Sequence, residues 1–399
     1  MHLTHLSLTN FRNFSRLDLD VPTGTILLVG QNAQGKTSLL EAIYMLATFT
    51  SFHAENDRQL INFHAAEADL AVARIVARFQ KNGHAHEMEL RIIQEKTGPN
   101  GPRVRKEALL DKQKFKLNEM MGAFNAVLFL PQMLDVVEGP PQHRRRYLDL
   151  ALAQVIPGYS AVLTNYNKVI TQRNALLKQI ADYGGDPAQL AYWDQELTTL
   201  GARIIRARIQ AIQEIAILAA QIHLDLTRQA EVLRLEYRPS YDPLPNPDGQ
   251  LVLKINDPKN RAGFTEVAIQ KGFTAALEAT RPEEIARGVT LFGPHRDELR
   301  FLSNGTDLGT YGSRGQVRTT MLTLKLAEVA WMKQKTDHWP VLLLDEVLAE
   351  LDEYRRLDLL GRMAGCEQVL ATTTDLAMFA TDFVTQARVW GVRAGHVTA

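Results

Sequence analysis

Short apolar runs recur towards both ends of the chain, whereas its middle repeats apolar positions every three to four residues. The first pattern predicts strands and the second helices. His2–Leu8 alternates through Leu3, Leu6 and Leu8, and Leu17–Val21 does the same, with the polar and aromatic corner Asn10–Phe14 between them. Thr25–Val29 is a short apolar run ending at Gly30, which predicts a buried strand. Leu39, Leu40, Ile43, Tyr44, Leu46 and Ala47 follow at helical spacing. Ala71–Phe79 and His86–Ile93 predict strands joined by Lys81, Asn82 and Gly83, good turn residues. Thr97–Pro102 reads as a loop. In the basic segment after it, Lys112, Lys114 and Lys116 alternate, so a strand there places all three on one face. Asn125–Leu130 is a further short strand closed by Pro131.

After Gly139, Pro140 and Pro141 a helix start carries Arg144, Arg145 and Arg146, and the helical pattern runs to about Leu226. It breaks at Tyr183–Pro187. The second arm sets Ile205, Ile209, Ile212, Ala216, Ala219, Ile222 and Leu226 on one face, which predicts two long antiparallel helices. Tyr237–Gln250 reads as a loop, Leu251–Ile255 as a short strand and Gly272–Ala286 as a helix. Thr290–Phe301 reads as a strand broken by a Gly-Pro turn that presents His295, Arg296 and Asp297. Ser313, Arg314, Gly315 and Gln316 open a helix bearing Leu322, Leu326, Val329 and Ala330. Val341–Leu344 is a fully apolar strand ending in Asp345 and Glu346, and a charged helix with Arg355 and Arg356 lies beyond Asp352. Val369–Thr374 is a last buried strand ending in hydroxyls. The resulting expectation is an α/β fold. A mixed sheet with helices spans residues 1–131 and 289–399, and a mainly helical lobe, 132–288, is inserted in it.

Composition narrows the classes. A chain of 399 residues can bury a large core and is expected to form two lobes. The 45 Lys and Arg residues balance 45 Asp and Glu, so any nucleic-acid contact must use local patches rather than a global field. One cysteine, Cys366, rules out an internal disulfide and fits a reducing compartment. No apolar run approaches the ~18 residues of a membrane span. The first residues alternate as a strand does and lack an apolar signal segment. We therefore expect a soluble, cytoplasmic protein with no membrane partner.

The chemistry concentrates at Gly30–Ser38, which fits G-x-x-x-x-G-K-[ST] with Gly30, Gly35, Lys36 and Thr37 on the fixed positions. A strand, a glycine loop and a helix N-terminus together make an anion site. Gln31, Asn32, Ala33 and Gln34 complete the loop. Lys36 can reach the outer phosphates of a nucleotide such as ATP, and Thr37 can offer its hydroxyl to Mg²⁺. Asp345, at the end of an aliphatic strand, is placed to hold the same ion. Glu346 is placed to accept a proton from attacking water. A serine hydroxyl and glycine N–H at the helix start of Ser313 form a second anion-reading surface. Since one chain has one Mg-nucleotide to complete, that surface suggests a second subunit's site.

Other positions are open to two readings. Lys112, Lys114 and Lys116 form either a phosphate-binding face or a solvated edge blunted by lysines. Arg144, Arg145 and Arg146 oppose the helix dipole, which fits either an anionic partner or a solvated turn. Arg12, on strands that precede the loop, reads either as lying close to bound nucleotide or, as its spacing favours, as a surface arginine. His84 and His86 share a strand face without a cysteine or carboxylate cluster to complete a metal site.

The chain resembles the ABC-type ATPases and, within them, the RecF family of bacterial recombinational repair. The resemblance is carried by NFRNF, GQNAQGKTSLLEAIY, FLPQMLDVVEGPPQHRRRYLDLAL, GVTLFGPHRDELRF, SRGQVRTTMLTLKLAE, LLLDEVLAELDEYRR and Thr372–Thr374. It implies an ABC-type phosphate-loop ATPase head with a compact helical lobe in place of a long coiled coil. By position, it makes Gln132 the Q-loop residue, Ser313, Gly315 and Gln316 the signature facing a partner's ATP, and Ala349–Asp352 the D-loop. It also implies slow ATP hydrolysis, an ATP-dependent homodimer and binding to gapped DNA at single-strand/double-strand junctions. Implied partners are the mediators RecR and RecO and, indirectly, RecA, in repair, replication restart and the SOS response. Arg144–Arg146 and the three lysines are the candidate DNA contacts. Glu346, where many members carry Asp, and the threonine run in place of the transporters' switch histidine depart from the pattern. The rival classes are the nucleotide-binding subunit of an ABC-type transporter and a phosphotransferase.

Overall fold

The computed structural model describes residues 1–96, 103–244, 261–379 and 381–398. The expected loop Thr97–Pro102 and strand Leu251–Ile255 lie outside these residues, as does the end of the Tyr237–Gln250 loop. The chain divides into two compact units, 1–133 with 328–399, and 134–327. The expected inserted lobe, 132–288, therefore gains the segment through residue 327, which contains Ser313. Periodicity hid this boundary because it falls inside one continuous helix, Arg314–Thr336.

In the first unit, β1 (His2–Phe11) and β2 (Phe14–Asp20) form a hairpin in which Phe11 pairs with Phe14. Arg12 takes φ 53° in the turn, and both phenylalanines are buried beneath it. β3 (Gly24–Val29) leads into the helix Lys36–Thr48. β4 (Leu70–Lys81) and β5 (His84–Glu95) meet at Asn82 and Gly83, both at positive φ, as the sequence predicts for this turn. β6 (Arg103–Leu110) and β7 (Gln113–Phe115) close an antiparallel sheet of order β2-β1-β4-β5-β6-β7 among the described residues.

β8 (Ala126–Phe129) begins the rest of the second sheet, and the chain then enters the second unit. That unit packs the helices Pro141–Val155, Tyr159–Tyr183, Ala191–Leu226 and Glu266–Arg287. It also contains β9 (Leu233–Arg238), β10 (Glu298–Ser303) and β11 (Thr306–Asp307), an antiparallel sheet of which the sequence predicts only β10, in part. Tyr237 and Arg238 belong to β9 rather than to a loop. Only the second half of Thr290–Phe301 is a strand, because Pro294–Arg296 forms a 3₁₀ turn.

The chain returns to the first unit with β12 (Val341–Asp345), β13 (Gln368–Thr373), β14 (Arg388–Arg393) and β15 (His396–Thr398). The order is β15-β14-β3-β13-β12-β8, and β8, β12, β13, β3 and β14 are parallel. Every residue of β12 and β13 is buried, as a parallel strand covered on both faces requires. The helix Lys36–Thr48 packs on β8, β12 and β13 and also on β4 and β5. It is therefore buried nearly all round rather than on one stripe. Parallel strands bring their carboxyl ends to one edge, and Val29, Thr373 and Asp345 end adjacent strands there.

Candidate functional site

The glycine loop spans that edge between β3 and its helix. Gly35 holds φ 115°, and a Cβ there would lie 2.5 Å from Asn13 Nδ2. At Gly30 a Cβ would lie 2.3 Å from the carbonyl oxygen of Val392 in β14. Neither position admits a side chain. Asn13, from the β1–β2 turn, donates to the Gln34 carbonyl at 3.0 Å, and the Gln34 side chain accepts from the Ala394 N–H at 2.7 Å. The loop is thus fixed from both sides by residues distant in sequence.

Lys36 is 3% exposed. Its ammonium donates to the carbonyls of Gly30 at 2.5 Å and Gln31 at 3.1 Å, and lies 3.6 Å from Glu346 Oε1. A buried cation held by neutral carbonyls and one carboxylate leaves strong attraction for a further anion. Thr37 Oγ1 donates to the Asp345 carboxylate, 3.1 and 2.9 Å from its two oxygens. Thr372 Oγ1 donates to Asp345 Oδ1 at 2.8 Å and accepts the N–H of Glu346 at 2.9 Å. One threonine therefore orients both carboxylate residues. Glu346 sits at φ 55°, an unusual backbone for a non-glycine residue, held by that bond.

A cavity of about 1220 Å³ opens on these groups. The loop residues Gln31–Ser38 line it, together with Gln132, Asp345 and Glu346. Gln132 reaches the wall from the turn after β8. Arg12 also lines the cavity and is more than a surface arginine. Its guanidinium holds Glu41 of the loop helix in a bidentate pair at 2.7 and 2.8 Å. Glu41 is 1% exposed and also accepts from Ser51 Oγ. Sequence spacing gave no sign of Glu41, Asn13 or Thr372 as partners. The polar and aromatic corner Asn10–Phe14, just ahead of the glycine loop, was the available signal for Arg12.

In the second unit, Ser313 and Gln316 cap their own helix reciprocally. Ser313 Oγ accepts the Gln316 N–H at 3.3 Å, and Gln316 Oε1 accepts the Ser313 N–H at 3.0 Å. Ser313, Arg314 and Gly315 are exposed.

The basic candidates land differently from expectation. β6 and β7 join at Asp111 and Lys112, both at positive φ, so the three lysines do not share a strand face. Lys112 is in the turn, Lys114 on β7 pairs with Glu107 at 2.8 Å, and Lys116 precedes a short helix and pairs with Glu119 at 3.4 Å. Arg144 donates to both oxygens of Glu298, at 2.6 and 2.8 Å, and to the Gly139 carbonyl at 2.6 Å. Arg145 donates to the Asp297 carbonyl at 2.8 Å, whereas Arg146 is exposed. The anionic partner of the arginine-rich helix start is thus, in part, the His295–Glu298 segment itself. Asp297 is buried rather than presented. Its carboxylate accepts from Arg208 at 2.8 Å, Tyr237 at 2.5 Å and the Ser240 N–H at 2.9 Å. His295 packs on Tyr166, its Nδ1 2.8 Å from the phenol oxygen, and burial lowers its pKa to about 4. His86 pairs with Asp111 at 3.0 Å, and no metal-binding cluster forms among the described residues.

Comparison with known proteins extends the picture. A family model described as the RecF/RecN/SMC N-terminal domain matches residues 2–396. The DNA replication and repair protein RecF of an Exiguobacterium species is 36% identical, with 100% of this chain and 99% of the relative covered. The protein of the same name from Chloroflexus aurantiacus is 38% identical, with both chains fully covered. A solved structure of the recombination mediator protein RecF with ATP, from the RecFOR pathway, superposes with a TM-score of 0.82. It is 28% identical and covers 100% of this chain and 97% of its own. No helix among the described residues is long and apolar enough to cross a membrane.

Proposed function

Because the chain belongs to the RecF/RecN/SMC N-terminal-domain family, we propose that it is an ATP-switched protein of DNA repair. ATP closes two copies into a homodimer at single-strand/double-strand junctions of gapped DNA. That assembly helps RecR and RecO load RecA, supporting repair, replication restart and the SOS response in the cytoplasm. The observation that carries this reading is the convergence of Lys36, Thr37, Asp345 and Glu346 on one cavity.

Each residue has a chemical part. Lys36 and the loop of Gly30–Thr37 neutralise and orient the phosphates. The hydroxyl of Thr37 and the carboxylate of Asp345 are hard oxygen donors already within 2.9 Å of each other, a set that suits Mg²⁺. Those two residues would hold the ion, which when bound offsets phosphate charge. Glu346 takes the proton of the attacking water, and Gln132 lines the same cavity. Ser313 and Gly315 read the partner copy's ATP, and Gln316 holds the turn that presents them. Hydrolysis is slow and resets the switch.

Lys112, Lys114, Lys116 and Arg146 are assigned to DNA phosphates. Arg144 and Arg145 act by shaping the surface beside them. The relatives, RecF proteins over their full length, do not favour a transporter subunit.

Fluorescence anisotropy on a gapped duplex, with and without ATP at one salt concentration, tests the proposal. The parent should bind more tightly with ATP, and Lys36→Ala should not respond. Binding indifferent to ATP in the parent would overturn the switch.

A further inference from the structure

Glu231 lies between the helix Ala191–Leu226 and β9, 85 residues from Gln316, yet its carboxylate meets that side chain. Gln316 Nε2 donates to Glu231 Oε1 at 3.3 Å. Glu231 Oε2 accepts from Ser303 Oγ at 2.7 Å and lies 3.5 Å from His223 Nε2. His223 is itself fully buried, with Nδ1 3.0 Å from Thr323 Oγ1 on the signature helix. Burial pushes the Glu231 carboxyl up, but the hydrogen bonds from Ser303 and Gln316 and the nearby His223 imidazole outweigh it and hold its pKa below the usual range.

The amide of Gln316 has two different ends, and each already has a task. Its oxygen accepts the Ser313 N–H, and its NH₂ donates to Glu231. Flipping it would set NH₂ against N–H and oxygen against carboxylate, so Glu231 selects one orientation. In that orientation Ser313 Oγ accepts the Gln316 N–H, leaving the hydroxyl proton free to donate outward from an exposed serine.

We propose that Glu231 is a positioning residue for the signature: acting through Gln316, it holds Ser313 in the geometry that reads a phosphate oxygen of the partner copy's ATP. This rests on the shared-site reading above. Glu231→Ala should bind ATP within about twofold of the parent but lose roughly tenfold or more in ATP-dependent dimerisation, as loss of a hydrogen bond to a charged group implies. Glu231→Gln, which keeps an acceptor, should retain most of it.

The swap provides the sharper test and does not depend on Glu231→Ala folding. Gln316→Glu opposes two carboxylates and should block closure. Adding Glu231→Gln restores a donor–acceptor pair with the roles exchanged, so the double variant should dimerise again with ATP. A double variant no better than Gln316→Glu alone would overturn the proposal. Ser313→Arg, measured alongside, separates the causes. If it dimerises like the parent, the shared-site reading fails. If it does not, while Glu231→Ala closes normally, only the role of Glu231 fails.

Discussion

Thr37 Oγ1 donates to the Asp345 carboxylate, 2.9 Å from the nearer oxygen, across 308 residues of sequence. The bond joins the end of the glycine loop to the end of the aliphatic strand β12. Thr372 on the neighbouring strand then fixes Asp345 from the other side. Two hydroxyls hold the carboxylate at the edge of the cavity, and Glu346 follows it in a left-handed turn.

Glu346→Gln retains the shape of the side chain and removes its basic oxygen. We expect ATP binding and ATP-dependent dimers to persist while steady-state phosphate release falls by ~10²-fold or more. Turnover at the parent rate would mean that another group takes the proton.

Phosphate contacts release counterions, so each one lost flattens the salt dependence of DNA binding by about one unit of slope. Arg146→Ala should produce that change with folding intact. The triple alanine variant of Lys112, Lys114 and Lys116 should flatten the slope further, by up to about three units. Unchanged slopes in a salt titration would remove these side chains from the DNA surface.

Arg173 is fully buried between Asp194 at 2.7 Å and Glu284 at 2.6 Å, with Thr290 at 2.8 Å. Arg173→Met leaves the buried carboxyl of Glu284 without its cation. Denaturant unfolding should report a loss of about 3–5 kcal/mol, as for other broken buried pairs. A loss below about 1 kcal/mol would show that the unit relaxes to solvate both carboxylates.

His295 has its pKa lowered to about 4 by burial, against 6.5 when unperturbed. Between those values the unfolded chain binds the proton and the folded chain does not. Its contribution to stability is therefore complete above pH 6.5 and is lost as pH falls towards 4. The slope is at most about 1.4 kcal/mol per pH unit from this one group. Unfolding measured from pH 7 to 4 should show a shallower decline for His295→Gln than for the parent. Identical slopes would mean that His295 takes up its proton as readily in the folded chain as in the unfolded one.

The loop, its helix and the carboxylate strand were legible because each is fixed by residues adjacent in sequence. Gly30 and Gly35 announce backbone that no side chain tolerates, and an aliphatic run before Asp345 announces a covered parallel strand. The helix start at Ser313 was legible for the same reason, since its hydroxyl accepts the N–H of Gln316 only three residues on. The lysine strand was misread because period two cannot distinguish a strand from a hairpin. Asp111 and Lys112 turn the chain in the middle of the pattern. The segments His295–Glu298 and Arg144–Arg146 stood out as motifs, but only their folding together shows that much of their charge is mutual. Glu231 carried no signal, because nothing local links it to Gln316.

Sedimentation velocity of the Ser313→Arg variant, with and without ATP, addresses the sharing of the site between two chains. The variant should bind ATP through its intact Lys36 loop and stay monomeric, because a bulky cation then meets the partner's nucleotide. The parent should shift to a dimer under the same conditions. Ser313→Arg protein that dimerises with ATP as the parent does would contradict the account.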